Sequence, residues 1–207
     1  MASIIKVDDV QDAAGNNIIR EAGDTITIGA SGDTITIPSG ATITNSGTAT
    51  GFGGITEADQ WRLTTSFTGS IDPIASNLER NDDSFDKIGT GMTESSGVFT
   101  FPSTGIWQIE FSPSILLNGD DRGWTFYISK TNDNAAWSDL AYATLFVQQT
   151  SSNSTYNNGY TAAMFDVTNT TNCKVRFKIV ASNASTTTRG DSTNNLTFMS
   201  FIRLGDT

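Results

Sequence analysis

The sequence contains no histidine and a single cysteine, Cys173, and these two shortages exclude several kinds of site. Without imidazole there is no Ser-His-Asp or Cys-His nucleophile pair, and no zinc or iron site that needs a histidine ligand. One cysteine cannot form a disulfide within the chain, and its position at the start of a strand-like run predicts a buried, inert thiol. No other catalytic constellation is present, so we predict a protein that is not an enzyme and needs no cofactor.

Basic residues are also scarce, with 12 Lys and Arg against 22 Asp and Glu, which gives a formal net charge of −10. Affinity for nucleic-acid phosphates and for anionic membrane surfaces depends on Lys and Arg, so neither is an expected partner. No apolar run approaches the roughly 18 residues that a membrane-spanning helix needs. The amino-terminal residues, which are acidic after two apolar positions, do not resemble a signal peptide.

The residues that are abundant favour β-structure. Thr, Ser and Asn number 31, 22 and 16, a third of the 207 residues. Aromatic residues at 10% and hydrophobic residues at 37% can supply a real core. Because Thr, β-branched and aromatic residues prefer strands, the composition predicts an all-β chain.

The clearest internal signal is a short repeat that occupies residues 23–50. The sequence GDTITI at 23–28 recurs at 32–37, and a degraded copy, GATITN, follows at 40–45. Each copy predicts a Gly-led turn and a short strand whose Ile residues alternate with Thr. Three copies in one chain are too few to bury a core. Three chains wound around a common axis would bury these isoleucines: Ile26, Ile28, Ile35, Ile37 and Ile43. The alternative is an intrachain β-meander packed on the rest of the protein.

The segments before and after the repeat predict a small docking unit and a hinge, respectively. Residues 1–22 hold two short apolar stretches around a turn-like cluster at 12–17, which predicts a small hairpin or a hooked strand. So small a unit must dock onto something, and its candidate docking residues are Ile5, Val7, Val10, Ile18 and Ile19. Residues 51–63 begin as a Gly-rich hinge, and a capping-box-like Thr56…Asp59 spacing predicts one short helical turn there.

Residues 64–207 predict a β-sandwich or jelly-roll head. Several segments alternate apolar and polar residues, and the apolar sets are Trp107, Ile109 and Phe111; Trp124, Phe126 and Ile128; Val175, Phe177 and Ile179. In the last segment the cations Lys174, Arg176 and Lys178 occupy the opposite face. Residues 196–202 are apolar on both faces, which predicts a central strand or one buried against a neighbouring subunit.

Residues 96–111 resemble the signature of the complement-type globular head. That signature has a Phe, five residues, a Gly and then aromatic residues at alternate positions. Phe99, Gly105, Trp107 and Phe111 follow it, although Trp107 stands where the family has Tyr and Ile109 replaces one aromatic residue. The closing segment 196–204 is similar to the last strand of that family. The family shares its fold with tumour-necrosis-factor-like heads. The resemblance therefore implies a ten-stranded jelly roll that trimerises through an apolar face.

The front of the chain resembles the amino-terminal parts of virion proteins from marine tailed bacteriophages. The resemblance rests on residues 5–19 and the GDTITI repeats, and segments 55–63 and 74–80 are similar to those proteins too. It implies a homotrimeric fibre or capsid decoration protein, synthesised in the host cytoplasm and located in the virion. Residues 1–22 would dock on other virion proteins, of the capsid or of the tail.

Two features could bind a ligand. Among the adjacent acidic pairs, which are typical of solvated loop tips, Asp120 and Asp121 are the first candidates for calcium. The loop 148–160 carries Tyr156 and Tyr160 among Ser, Asn and Gly, a composition found in adaptable recognition surfaces. These tyrosines are candidates for stacking on a host surface glycan. The alternative function is therefore a receptor- or glycan-binding module, such as a tail fibre tip or a lectin-like adhesin.

Overall fold

A computed structural model describes residues 9–15, 17–22, 25–44, 54–83 and 85–207, and every regular element in them is a β-strand. The all-β prediction is confirmed. The chain divides into two compact units, Met1–Phe52 and Gly53–Thr207. The docking candidates Ile5 and Val7 lie outside the described residues, as does most of the predicted Gly-rich hinge.

The first unit contains a three-stranded antiparallel sheet. Its strands are β1 (Asp9–Gln11), β2 (Asn17–Ala22) and β3 (Thr25–Ile28), in the order β1-β2-β3. The turn between β1 and β2 is closed by the Gly15 N–H, which donates to the carbonyl oxygen of Asp12 at 3.1 Å. The hairpin predicted around residues 12–17 is therefore confirmed.

The GDTITI repeat forms a strand in its first copy alone. That copy supplies β3, which pairs with β2, whereas residues 30–44 contain no strand. The alternative of an intrachain β-meander is thus wrong for the second copy and for the described part of the third, whereas strands paired between chains stay a prediction. A short Ile/Thr strand needs a neighbouring backbone to pair with, and β2 provides one only for the first copy. The second copy begins with a turn in which Ala30 N–H donates to Asp33 Oδ2 at 2.7 Å.

The described part of the second unit, the head, contains fifteen strands. They are β4 (Ala58–Leu63), β5 (Phe67–Thr68), β6 (Leu78–Arg80), β7 (Lys87–Ile88), β8 (Thr93–Ser95), β9 (Val98–Thr100), β10 (Gly105–Ser112), β11 (Ser114–Leu117), β12 (Asp121–Thr131), β13 (Ser138–Val147), β14 (Thr155–Asn158), β15 (Thr161–Val167), β16 (Lys174–Val180), β17 (Thr187–Thr188) and β18 (Phe198–Gly205).

These strands form three antiparallel sheets. Sheet I has the order β15-β10-β18-β4-β6, with β7 also paired to β4. Sheet II has the order β13-β12-β16-β9-β8, and a smaller sheet III has the order β14-β11-β17-β5. Most connections cross between sheets, because strands distant in the chain are neighbours in each sheet, whereas β8-β9 and β12-β13 in sheet II are hairpins of consecutive strands. Strand β18 lies between β10 and β4, which confirms that residues 196–202 lead into a central strand.

Strand β4 replaces the short helical turn that the Thr56…Asp59 spacing predicts, so that prediction is wrong. Leu63 is buried, and the Trp61 ring meets the Phe99 ring edge-on at 5.5 Å. Asp59 is also buried and accepts hydrogen bonds from Met92 N–H at 2.6 Å and Trp61 Nε1 at 3.0 Å. Both faces of β4 are covered, because Ala58 and Arg62 are buried as well, and pairing with β18 outweighs a local capping signal.

The core lies between sheets I and II and is rich in aromatic rings. All nine apolar residues of the predicted alternating segments are buried, as is Cys173, so these predictions are confirmed. Phe177 meets the rings of Phe99 and Phe111 at 5.5 and 5.0 Å between centroids. On the other face of β16, Arg176 and Lys178 each lie 4.4 Å from an aromatic ring, that of Trp137 and that of Tyr127 respectively. The head is therefore a β-sandwich with one continuous core.

Candidate functional site

The two tyrosines of the candidate ligand loop are exposed, but they have separate partners. Tyr156 lies on β14, and the guanidinium of Arg189 stands over its ring at 4.9 Å. Arg189 also donates from Nη1 to Ser114 Oγ at 3.2 Å, which fixes the cation above the ring. Tyr156 thus offers one stacking face to solvent while Arg189 covers the other.

Tyr160 is part of a polar chain on the solvent face of sheet I. Its hydroxyl donates to Glu110 Oε1 at 2.9 Å, and Gln108 Nε2 donates to the same oxygen at 2.7 Å. The hydrogen bond to the Glu110 carboxylate raises the pKa of Tyr160 above its usual value of 10.0, and partial burial adds to the effect. The phenol is therefore held in its protonated, donating form.

Asp121, one of the two calcium candidates, is buried and already surrounded by donors. Its carboxylate accepts hydrogen bonds from the hydroxyls of Ser182 and Thr186 and from the N–H groups of Gly123 and Asn183. Burial raises the pKa of Asp121, but these hydrogen bonds outweigh burial and lower it. The donors join the start of β12 to the 182–186 loop, which is a structural use of the carboxylate.

Asp120, the other calcium candidate, is half-exposed and accepts the Gln149 N–H at 2.7 Å. The described residues hold no group of three or more Asp, Glu, Cys or His side chains arranged to share a metal ion. Calcium binding by the Asp120–Asp121 pair stays a prediction. The described residues also contain no helix with the length and apolarity needed to span a bilayer.

Apolar side chains of the first unit are widely exposed. The five isoleucines of the repeat expose between 46% and 68% of their surface, and the docking candidates Val10, Ile18 and Ile19 are exposed as well. Exposed apolar residues in such density are unusual in a chain that acts alone. The five isoleucines of the repeat, which we call the isoleucine ridge, are therefore candidate contact residues.

The head carries a second apolar surface, which the sequence analysis did not identify. Met164 on β15 is exposed, and with Gln108, Ala162 and Ala163 it lines a depression of about 290 Å³. In β15 the interior positions are taken by Ala163, Phe165 and Val167, so Met164 stands on the solvent face. The alternating pattern of β15 predicts a polar residue at position 164, and the apolar Met164 there is the sequence signal that could have revealed this surface.

A pocket of about 410 Å³ lies where β12 begins and β13 ends, lined by Arg122, Phe146, Val147 and Gln148. Asp121 pairs with Val147 and Trp124 pairs with Leu145, so two residues of β12 stand opposite the single residue Phe146. This is a β-bulge, a feature that redirects side chains and is common beside binding sites. It places Arg122 at the pocket rim.

Comparison with solved structures identifies the fold of the head. The chain is similar to Eiger TNF from S. frugiperda, with a TM-score of 0.55, 13% identity, and coverage of 72% of this chain and 93% of that chain. It is also similar to murine APRIL at pH 5.0, with a TM-score of 0.51, 15% identity, and coverage of 72% and 98%. The head has a TNF-like jelly-roll fold. No family model and no curated protein matches the sequence.

Within this TNF-like jelly roll, the predicted ligand loop and the pocket are neighbours. The Asn157 side chain donates from Nδ2 to the carbonyl oxygen of Phe146 at 2.9 Å, which ties β14 to the pocket. Sequence reasoning singled out the tyrosines and missed Phe146 and Arg122. Strand β13 is apolar on both faces, with Tyr142 and Phe146 on the exposed one, and that pattern could have revealed Phe146. No local pattern indicates Arg122, because its position depends on the bulge.

Proposed function

We propose that this protein is a homotrimeric structural component of a phage particle, a fibre or capsid decoration protein without enzymatic activity. Its amino-terminal hairpin docks on other virion proteins, and its TNF-like head faces solvent. The observation that carries the proposal is the exposed isoleucine ridge of the repeat, which finds no cover in the described part of a single chain. The resemblance of this region to phage virion proteins supplies the setting.

Self-association is the simplest way to remove the ridge from water. Fully burying one Ile side chain stabilises a structure by roughly 1.5–3 kcal/mol relative to leaving it exposed. Five such residues, each between 46% and 68% exposed, therefore offer a driving force of several kcal/mol. Neighbouring chains would also provide the backbone partners that residues 30–44 lack within one chain.

The head offers a second contact surface, the depression lined by Gln108, Ala162, Ala163 and Met164. Methionine packs adaptably against irregular surfaces, and exposed methionines are common where proteins bind one another. With contacts between chains at the isoleucine ridge and at this depression, each of the two units would contribute to the trimer interface.

The first test is the solution mass of the full chain, measured by light scattering on a sizing column. A trimer of about 66 kDa, three times 22.1 kDa, supports the proposal. The double substitution Ile35→Thr and Ile37→Thr should shift the mass towards monomer, because it removes two apolar contacts in each chain. The matched control is Thr34→Ser with Thr36→Ser, which should leave the mass unchanged. A monomeric wild-type chain would refute the trimer.

The virion role is tested separately by deleting residues 1–22. We expect the truncated protein to remain a trimer, with a mass lowered only by the deleted residues, while losing incorporation into particles. Unchanged incorporation would show that the hairpin does not dock the protein. The comparison should be made on particles produced with full-length and truncated protein at equal expression.

The second candidate function is a receptor- or glycan-binding module, and the exposed Tyr156 ring beneath Arg189 favours it. Replacing Tyr156 by Ala should remove binding to host polysaccharide if this ring is the stacking platform. Replacing Tyr160 by Ala tests its neighbour, which is engaged with Glu110. A binding signal that neither substitution weakens would place the glycan site elsewhere on the protein.

A further inference from the structure

We propose that the pocket between β12 and β13 binds carboxylated saccharides, with Arg122 pairing with the carboxylate and Phe146 stacking on the sugar ring. The pocket volume of about 410 Å³ falls within the range of small-molecule sites, roughly 300–1,000 Å³. All four lining residues belong to the head. The inference is therefore independent of the trimer, of virion docking and of the Tyr156 platform.

Arg122 has the free hydrogen-bonding capacity that a carboxylate needs. Its side chain is 83% exposed, and its nearest acidic partner is Asp120, whose Oδ2 lies 3.7 Å from Nη2. That distance exceeds hydrogen-bond length, and the other oxygen of Asp120 accepts the Gln149 N–H. A guanidinium presents parallel N–H donors that match a carboxylate in a two-point pair. Arg122 can therefore bind a carboxylate without breaking a hydrogen bond within the described protein.

Phe146 and Gln148 supply the other two contacts that a sugar ring requires. The Phe146 ring is 64% exposed, and the apolar C–H face of a pyranose would cover it. The side-chain amide of Gln148 can both donate to and accept from hydroxyl groups. Val147, between these two residues, also lines the pocket, and its side chain is anchored in the core of the head. An apolar face with a few convergent polar groups is typical of small-ligand sites.

The pocket is held in place before any ligand arrives. The buried Asp121 carboxylate accepts the Gly123 N–H within the bulge at 3.1 Å, next to Arg122. The Gln149 side chain donates to Asn118 Oδ1 at 2.9 Å, which joins the loop after β13 to the turn before β12. A preformed site loses less conformational entropy on binding, so weak individual contacts give measurable affinity.

The contacts around the pocket favour a saccharide over an acidic peptide. A peptide that added a strand to β13 would need the backbone carbonyls at this edge. The Phe146 carbonyl already accepts from Asn157 Nδ2 at 2.9 Å, and the Gln148 carbonyl accepts from the Thr155 hydroxyl at 3.3 Å. Phosphate carries more negative charge than a carboxylate, so a phosphate site would be expected to hold more than one cation, whereas Arg122 is the single cation among the described residues that line this pocket.

The test is calorimetric titration of the full-length protein with three acidic probes: oligomers of galacturonate, of glucuronate and of N-acetylneuraminate. We expect at least one to bind and the neutral galactose oligomer not to bind. Arg122→Gln should weaken that binding roughly 10- to 100-fold, because a charge-assisted pair is lost. Arg122→Lys should recover only part of it, and Phe146→Leu should weaken it as well.

The matched control is Tyr142→Leu, which removes another exposed aromatic ring from β13 outside the pocket lining. It should leave the affinity unchanged. The proposal is overturned if none of the three acidic probes binds, if the neutral oligomer binds equally well, or if Arg122→Gln has no effect. Equal or tighter binding of inorganic phosphate or of a Glu-rich peptide through Arg122 would overturn the saccharide assignment. Loss of the trimer with intact saccharide binding would separate this inference from the proposed function.

Discussion

Replacing Asp121 by Ala removes a buried carboxylate that joins the start of β12 to the 182–186 loop. Four donors lose their acceptor together: the hydroxyls of Ser182 and Thr186 and the N–H groups of Gly123 and Asn183. Hydrogen bonds to a charged group contribute about 1.5–3 kcal/mol each, but water that enters the emptied site would satisfy part of what is lost. We therefore expect the free energy of unfolding of the head to fall by about 2–4 kcal/mol.

Urea denaturation followed by tryptophan fluorescence would measure this change. All four tryptophans, Trp61, Trp107, Trp124 and Trp137, belong to the second unit, so the signal reports the head. Variants must be compared at one protein concentration, because self-association alters apparent stability. The control is Asp120→Ala at the adjacent, half-exposed position, with an expected loss below about 1 kcal/mol. A loss below about 0.5 kcal/mol for Asp121→Ala would refute the structural role of this carboxylate.

The same network predicts a pH dependence. The pKa of Asp121 is lower in the folded protein than its ordinary value of 3.8. The ionised carboxylate therefore stabilises the fold fully above about pH 5, and this contribution disappears as the pH falls through the folded pKa. The difference in unfolding free energy between wild type and Asp121→Asn should accordingly shrink between about pH 5 and pH 2. A difference that stays constant over this range would contradict the assigned ionisation.

Three further predictions concern single positions. Phe177→Ala should lower the free energy of unfolding by about 3–5 kcal/mol in urea titration, because three phenylalanine rings pack against this side chain; a loss under 1 kcal/mol would contradict the core assignment. Gly97→Ala should lower the free energy of unfolding by at least about 1 kcal/mol, because the φ angle of Gly97 is +81° and an added Cβ would lie 2.4 Å from the Ile74 carbonyl oxygen. An unchanged free energy of unfolding would refute this close contact. In ultraviolet titration, Tyr160→Phe should remove a phenol whose pKa exceeds 10.0 and so identify its step, and Glu110→Gln should lower the pKa of that step. An unchanged profile in Glu110→Gln would disprove the hydrogen bond.

Strand alternation made the interior of the head predictable. In β10, Trp107, Ile109 and Phe111 recur at every second position, and all three are buried because a strand turns alternate side chains to one face. The turn between β1 and β2 was also predictable, because its Gly, Asn and Asp residues favour turns through their own backbone chemistry. These features depend on residues that are near one another in the chain.

Strand formation was hard to predict wherever it depends on pairing with a segment that is distant in the chain. Residues 56–59 carry a helix-capping spacing, yet β4 forms because β18 supplies hydrogen-bond partners from the far end of the chain. The second GDTITI copy has the same sequence as the first, yet only the first lies beside β2. Identical local sequences therefore differ in structure because strand formation needs a neighbouring backbone as well as a suitable side-chain pattern.

The sequence by itself determined the all-β class, the buried faces of β10, β12 and β16, and the acidic, histidine-free composition that excludes imidazole chemistry. It also identified the isoleucines of the repeat and the Tyr156–Tyr160 loop as candidate contact residues. Only the tertiary structure decided that Arg122 stands beside Phe146 and that Asp121 is enclosed by donors from the 182–186 loop. The physical reason is that a β-bulge and a loop-to-strand hydrogen-bond network arise from pairing between segments far apart in the chain, and neither leaves a periodic pattern in the sequence.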